Sequence, residues 1–236
     1  MTQAEVLKLW EAGRSLGALD RAVLVASVAS PDKRSAADWP LGARNRSLAQ
    51  LHCDAFGGIL RGYTACRQCG EHLEFEFDGH TVATTPAIPS VSQLVPVGKW
   101  LFRLPTSRDL ARIADVHEVE AAVLRLLDSC RLRDAEESET HLSLAWSKEE
   151  IEELGEKMSL ADPLAEIALS LDCPVCKNTC EEALDLPAFL WAEVEARARR
   201  ILQEVHALAL NYGWHESEIL ALSDTRRAMY LQMVQA

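Results

Sequence analysis

The chain lacks the hydrophobic run that crossing a bilayer requires. Its longest apolar stretch, Ala22-Val23-Leu24-Val25-Ala26, falls far short of the ~20 residues of a spanning helix. It also lacks positive charge: 24 Lys and Arg stand against 36 Asp and Glu, a net charge of −12. A role on nucleic acid or an anionic membrane would need a local basic patch. Only Arg197-Ala198-Arg199-Arg200 and Arg226-Arg227 qualify, and both sit in helical patterns that read as solvated faces. Catalytic signatures are missing too. There is no Gly-x-x-x-x-Gly-Lys-Ser/Thr phosphate loop and no Gly-x-Ser-x-Gly elbow. The His-x-Glu of nucleobase deaminases is absent, because His80 precedes Thr81-Val82 and His117 precedes Glu118-Val119. These absences argue against an enzyme and against a small-molecule substrate. No signal peptide is evident, and seven cysteines cannot all pair with one another, so a reduced, cytoplasmic setting is expected.

What the sequence does contain is two Cys-x-x-Cys pairs, Cys66-Arg67-Gln68-Cys69 and Cys173-Pro174-Val175-Cys176. Each lies between stretches that read as strands: Ile59–Tyr63 and Leu73–Phe77 around the first, Ile167–Leu171 and Ala183–Leu186 around the second. A Cys-x-x-Cys turn at a hairpin tip points two sulfurs one way, and two such tips facing each other supply a closed tetrahedral zinc site. About a hundred residues separate the pairs, against the ~15–20 of a compact zinc motif, so a shared ion would clamp distant parts of the chain together. Cys66, Cys69, Cys173 and Cys176 are therefore the expected ligands of one structural zinc. Four thiolates leave no open position for a catalytic water. A redox role for the pairs is the rival, but neither starts a helix that would lower a thiol pKa. Cys180 and His72 stand close enough in sequence to substitute as ligands; the simpler reading of Cys180 is a reduced spare. Cys53 and Cys130 lie in helical patterns and read as small buried hydrophobes.

The 236 residues, 48% of them hydrophobic, allow one large or two modest domains. Thr2 and Glu5 have the spacing of a capping box and open a helix carrying Val6, Leu9, Trp10 and Gly13. A second helix is expected over Asp20–Ala29, a loop over Ser30–Pro40, and a third helix over Leu41–Phe56 ended by Gly57-Gly58. Thr81–Gly98 holds Pro86, Pro89 and Pro96 and reads as extended or irregular. Trp100–Leu104 reads as a strand. Thr106–Asp109 and Ser147–Glu150 are further capping boxes, and Asp134–Glu139 is an acidic surface loop. Beyond the second pair the pattern is helical, with Trp191, Val194, Ala198, Ile201, Val205, Leu208 and Tyr212 in steps of three and four. That seam is read as intramolecular core, with a docking face for a partner helix as the other possibility. The expected fold is α+β and mostly helical, with helices around a split zinc-ribbon-like pair of hairpins. It divides into an N-terminal helical part (1–58), the hairpins with an inserted strand and helices (59–186) and a C-terminal helical segment (187–236), all in one compact unit.

Several segments carry a resemblance. They are Leu41-Gly42-Ala43-Arg44-Asn45 before a helix ending in Phe56-Gly57, Arg103–Leu110, and Ala161-Asp162-Pro163-Leu164-Ala165. In the C-terminal part they are Phe189–Glu193, Arg200–Ala209, Tyr212–Ser223, Arg226-Arg227 and Tyr230-Leu231. Together they resemble the baseplate-hub assembly proteins, often called chaperones, of T-even-type contractile phage tails and of bacterial contractile injection systems. Both Cys-x-x-Cys pairs fall where the bacterial relatives carry them. Arg67 stands where that pattern has proline, and Asn45 where relatives often have aspartate. The resemblance implies an assembly factor or minor component of a contractile particle, whose partners are baseplate, hub or tail-length proteins. Aromatic and arginine groups make good interface anchors. Trp214, Tyr212, Tyr230, Arg226 and Arg227 are accordingly the candidate partner-binding residues, with Trp191 assigned to the core. The alternative reading is a zinc-ribbon adaptor for nucleic acid or the transcription machinery, against which the net charge argues.

Overall fold

The computed structural model describes residues 1–29, 35–86, 94–132 and 146–235. The expected acidic loop Asp134–Glu139, the first part of the Ser30–Pro40 loop and Pro89 lie outside these residues. Within them the chain is mixed α+β with helices predominating and three small antiparallel sheets. None of the described helices is long and apolar enough to cross a membrane.

Four helices build the largest core. Helix α1 (Gln3–Gly13) starts at the expected Thr2–Glu5 capping box; α2 is Ala18–Ala29 and α3 Leu41–Phe56. All three pack on α8 (Leu186–Tyr212). Val6, Leu7, Leu9, Val25, Ala26, Leu48 and Leu51 meet Leu190, Trp191, Val194, Ala198 and Ile201, all buried. Burial of each large aliphatic side chain contributes about 1.5–3 kcal/mol. The α8 seam is thus intramolecular core as far as Leu208, which is buried; Tyr212 at its end is exposed. Gly13, the last residue of α1, leaves room for the Trp191 ring, which a Cβ there would meet at 2.5 Å. Arg21 closes the same corner, donating to the carbonyls of Gly13 and Arg14 while its guanidinium lies 4.9 Å from the Trp191 ring centre.

The first hairpin follows α3. Strand β1 (Ile59–Ala65) pairs with β2 (His72–Asp78) from Ile59↔Asp78 to Ala65↔His72. Its inward residues are Leu60, Leu73, Phe75 and Phe77, and Phe75 lies over Gly62, where any side chain would collide with the ring. Thr81–Gly98 departs from its irregular expectation at both ends. Asp78 accepts from the His80 N–H and starts a short helix α4 (His80–Ala83), and β3 (Val95–Val97) forms an edge strand. An edge accommodates Pro96, which has no N–H to donate. Strand β4 is Trp100–Phe102, shorter than the expected Trp100–Leu104; just beyond it the Arg103 N–H donates to the Cys130 carbonyl.

Helices α5 (Ser107–Ile113), α6 (Val119–Cys130) and α7 (Lys148–Ala161) complete this part, and a two-residue strand β5 (Arg131–Leu132) pairs with β4. Here Phe102, Leu127, Cys130 and Leu154 form a second buried cluster. The second hairpin pairs β6 (Ala168–Asp172) with β7 (Thr179–Ala183). Its second strand lies earlier than the expected Ala183–Leu186. Asp185 accepts from the Ala188 N–H as an N-cap and Pro187 sits in the first helical turn, so Leu186 already belongs to α8. After Gly213, in the left-handed conformation, come α9 (Glu216–Leu220) and α10 (Asp224–Gln235).

Three distant segments lock together at the start of α3. Gly42 N–H donates to Asp162 Oδ2 at 2.9 Å, Arg44 to Ser107 Oγ at 3.0 Å, and Asn45 Nδ2 to the Leu164 carbonyl at 2.8 Å. Leu41 N–H reaches the Pro105 carbonyl, and Pro40 bridges Thr106. Asp162 thereby satisfies an orphan donor of α3 from another helix's end.

Candidate metal centre

The hairpin tips meet. The Sγ atoms of Cys66, Cys69, Cys173 and Cys176 all lie within 4.8 Å of one another, with Cys66–Cys176 and Cys69–Cys173 each 3.6 Å apart. Four cysteines so placed can hold a metal ion. Cys66 and Cys173 are buried, Cys176 half-buried and Cys69 exposed, so the site opens on one side.

Both tips are built alike. The N–H of Cys66 donates to the Glu71 carbonyl and that of Gly70 to the Cys66 carbonyl; the N–H of Cys173 donates to the Asn178 carbonyl and that of Lys177 to the Cys173 carbonyl. The residue after each second cysteine has positive φ: Gly70 at +77° and Lys177 at +61°, the latter the one non-glycine residue of this kind among those described. This turn aims backbone N–H groups at sulfur. Hydrogen bonds from the Cys69 and Gln68 backbone hold the Cys66 thiol down to about 6. At Cys69 the Glu71 backbone pulls the same way, but partial desolvation beside the other sulfurs and hydrogen bonds shared with Cys173, Cys176 and Cys66 outweigh it and push the thiol up to about 12. Without a cation Cys66 carries negative charge more readily than Cys69 or Cys176, both of which resist ionising; a divalent ion removes that conflict.

Contacts outside the thiols also join the hairpins. Arg67 pairs with Glu182 at 2.7 Å, and Thr64 Oγ1 donates to the same carboxylate at 3.2 Å. Leu73, Leu171 and Cys180 pack around the sulfurs. Cys180 is outside the four-thiol group, yet its Sγ lies 3.7 Å from Cys66 Sγ. His72 is exposed and stacks on Tyr63 at 6.0 Å, also outside the group. Cys130 is fully buried, where burial and Asp109 push its thiol up to about 12; Cys53 is half-buried under Gly79.

The C-terminal candidates divide. The Gly213 turn folds Trp214 back onto Tyr212, with ring centres 4.7 Å apart and nearly parallel planes. Tyr230 from α10 meets Trp214 edge-on at 4.8 Å and Tyr212 at 5.6 Å. Leu210, Met229 and Met233 on the same helices are exposed, as is Arg226. Arg227 corrects the solvated-face reading: it is 4% exposed, held by Glu204 at 2.7 Å and Asp224 at 2.9 Å. Glu204 lies 23 residues away on α8, so no local pattern announces this burial. In the other basic run, Arg199 pairs with Glu195 and Arg200 with Glu204.

No family model matches the chain, and no curated protein or solved structure matches it significantly.

Proposed function

We propose that the protein is a zinc-stabilised assembly factor or minor component of the baseplate or hub of a contractile phage-tail-like particle, acting by protein–protein binding. Zinc fits the donor set. A tetrahedral ion with Zn–S bonds of ~2.3 Å has S–S edges of about 3.8 Å, and two edges here are 3.6 Å. The fold reading that accompanies it is a split zinc ribbon, two hairpins brought together from distant parts of the chain. Four thiolates fill the coordination sphere, so the ion's place is structural and no catalytic step is assigned to it.

The observation that carries the binding role is the aromatic cluster of Tyr212, Trp214 and Tyr230, set beside exposed Arg226, Met229 and Met233. Aromatic and arginine groups concentrate binding energy in interfaces. A second support is the junction at the start of α3. Of the segments that carry the resemblance, 41–45 hydrogen-bonds there to both 103–110 and 161–165. These three segments form one packing junction of the fold. Against the nucleic-acid adaptor stand the exposed carboxylates of Glu74, Glu76, Asp78 and Glu181 on the hairpins, while Arg61 and Arg67 are spent on Glu76 and Glu182.

The test is a fractionation from the native host. Tagged protein is expected to accompany baseplate, hub or tail-length proteins, with Trp214→Ala reducing that co-purification at unchanged protein yield. Stoichiometric sedimentation with particles identifies a component, and presence only in the supernatant complex a chaperone. Recovery with no tail protein in either fraction overturns the assignment.

A further inference from the structure

The two hairpins correspond position by position, and one position breaks the correspondence. Seven residues after the first cysteine of each pair comes an inward strand residue: Leu73 after Cys66, Cys180 after Cys173. Each faces the residue two before that cysteine, Thr64↔Leu73 in one hairpin and Leu171↔Cys180 in the other. Both are buried against the sulfurs, so an apolar side chain is enough to pack this position. Cys180 nonetheless carries a thiol, and that thiol donates to Cys66 Sγ across 3.7 Å. Behind it the Asn178 amide donates to Cys180 Sγ at 3.6 Å. Asn178, Cys180 and Cys66 thus form a directed chain ending on a ligand sulfur.

We infer that Cys180 is a positioning residue of the metal centre: its thiol donates to the metal-bound Cys66 sulfur and sets how firmly that sulfur is held. The inference rests on the zinc reading above. Four thiolates around a divalent ion carry a net negative charge, and Cys66, 2% exposed, is screened from solvent. A hydrogen bond to an anionic sulfur is stronger than one to a neutral group, and it orients the ligand. Groups placed behind metal ligands in this way change affinity by 10–100-fold. The donor acts on one knuckle only, since Leu73 has nothing to give. The centre is therefore asymmetric, with Cys66 its anchored ligand and exposed Cys69 its loosest.

The experiment uses the full-length protein under reducing conditions, as wild type, Cys180→Ser, Cys180→Ala and Cys180→Val. Zinc content is read first, then the rate of zinc release to a chelator and the thiolate-to-metal charge-transfer band of the cobalt(II) form. Serine keeps a donor, and valine keeps apolar volume without one. Cys180→Ala and Cys180→Val are expected to release zinc about 10-fold faster or more, with a shifted cobalt band. Cys180→Ser is expected to stay near wild type in both. If serine behaves like alanine, or valine like wild type, the thiol acts only by packing and the inference is overturned. Equal rates and bands in all four proteins overturn it equally and leave the zinc site standing. A wild type that binds no zinc overturns both.

Discussion

His52 on α3 is 2% exposed, and its Nδ1 has no hydrogen-bond partner among the described residues. Its ring lies between Phe56 at 5.8 Å and Phe189 at 6.0 Å. Burial holds its pKa below the ordinary value, with Glu193 and the Gly57 backbone offsetting this only in part. The unfolded chain takes up this proton near pH ~6.5 while the folded protein resists it. Stability from this group is therefore present above that pH and is lost as the pH falls below it. The thermal midpoint should drop between about pH 7.5 and about pH 5.5, and His52→Gln should flatten the decline. An equally steep decline in the variant would assign the effect to another group. Single residues were unevenly legible in sequence. The Thr2, Thr106 and Ser147 caps are local motifs and are present as read. The burial of Arg227 and the placing of Cys180 depend on partners on other elements, which spacing along the chain does not reveal.

Among the elements, α3 is held in an unusual way. Its N-cap residue is Pro40, which offers no side-chain cap, and the missing acceptor comes from Asp162, the C-cap of α7. The approach is so close that a Cβ on Gly42 would fall 1.8 Å from Asp162 Oδ1. Burial raises the Asp162 pKa, with the Gly42 N–H opposing it. Asp162→Ala should cost about 1 kcal/mol in denaturant unfolding, the worth of a lost cap. Asp162→Asn keeps an acceptor and removes a buried charge, so it should be no less stable than wild type. If both variants lose equally, the carboxylate charge rather than the cap matters here. Most helices showed their period and their caps in the sequence. Strand β7 did not, because Glu181 and Glu182 interrupt its apolar pattern and pairing with β6 alone makes it a strand.

Across the whole molecule the cysteine chemistry was readable but its geometry was not. Each Cys-x-x-Cys announces a ligand pair, whereas the meeting of sulfurs 104 and 110 positions apart belongs to the tertiary fold. The helical core and the sulfur cluster are separate sets of buried residues. Stripping metal with a chelator under reducing conditions should therefore release the hairpins while most helical signal survives. Limited proteolysis should then cut within 168–183, the β6–β7 hairpin, faster than before metal removal. Complete loss of helical signal on chelation would mean that the centre and the helical core unfold together.

The division of one centre and one core between early and late sequence also sets an order for biosynthesis. A ribosome adds ~5–20 residues per second, so Cys66 and Cys69 are made about 5–20 s before Cys173 and Cys176. For that interval the nascent chain displays half a coordination set. Helices α1 to α3 wait longer still, since the face they bury against is α8. A ribosome stalled before Cys173 thus holds a chain with neither its helical core nor its clamp, exposed to whatever binds unpaired thiols and apolar helices.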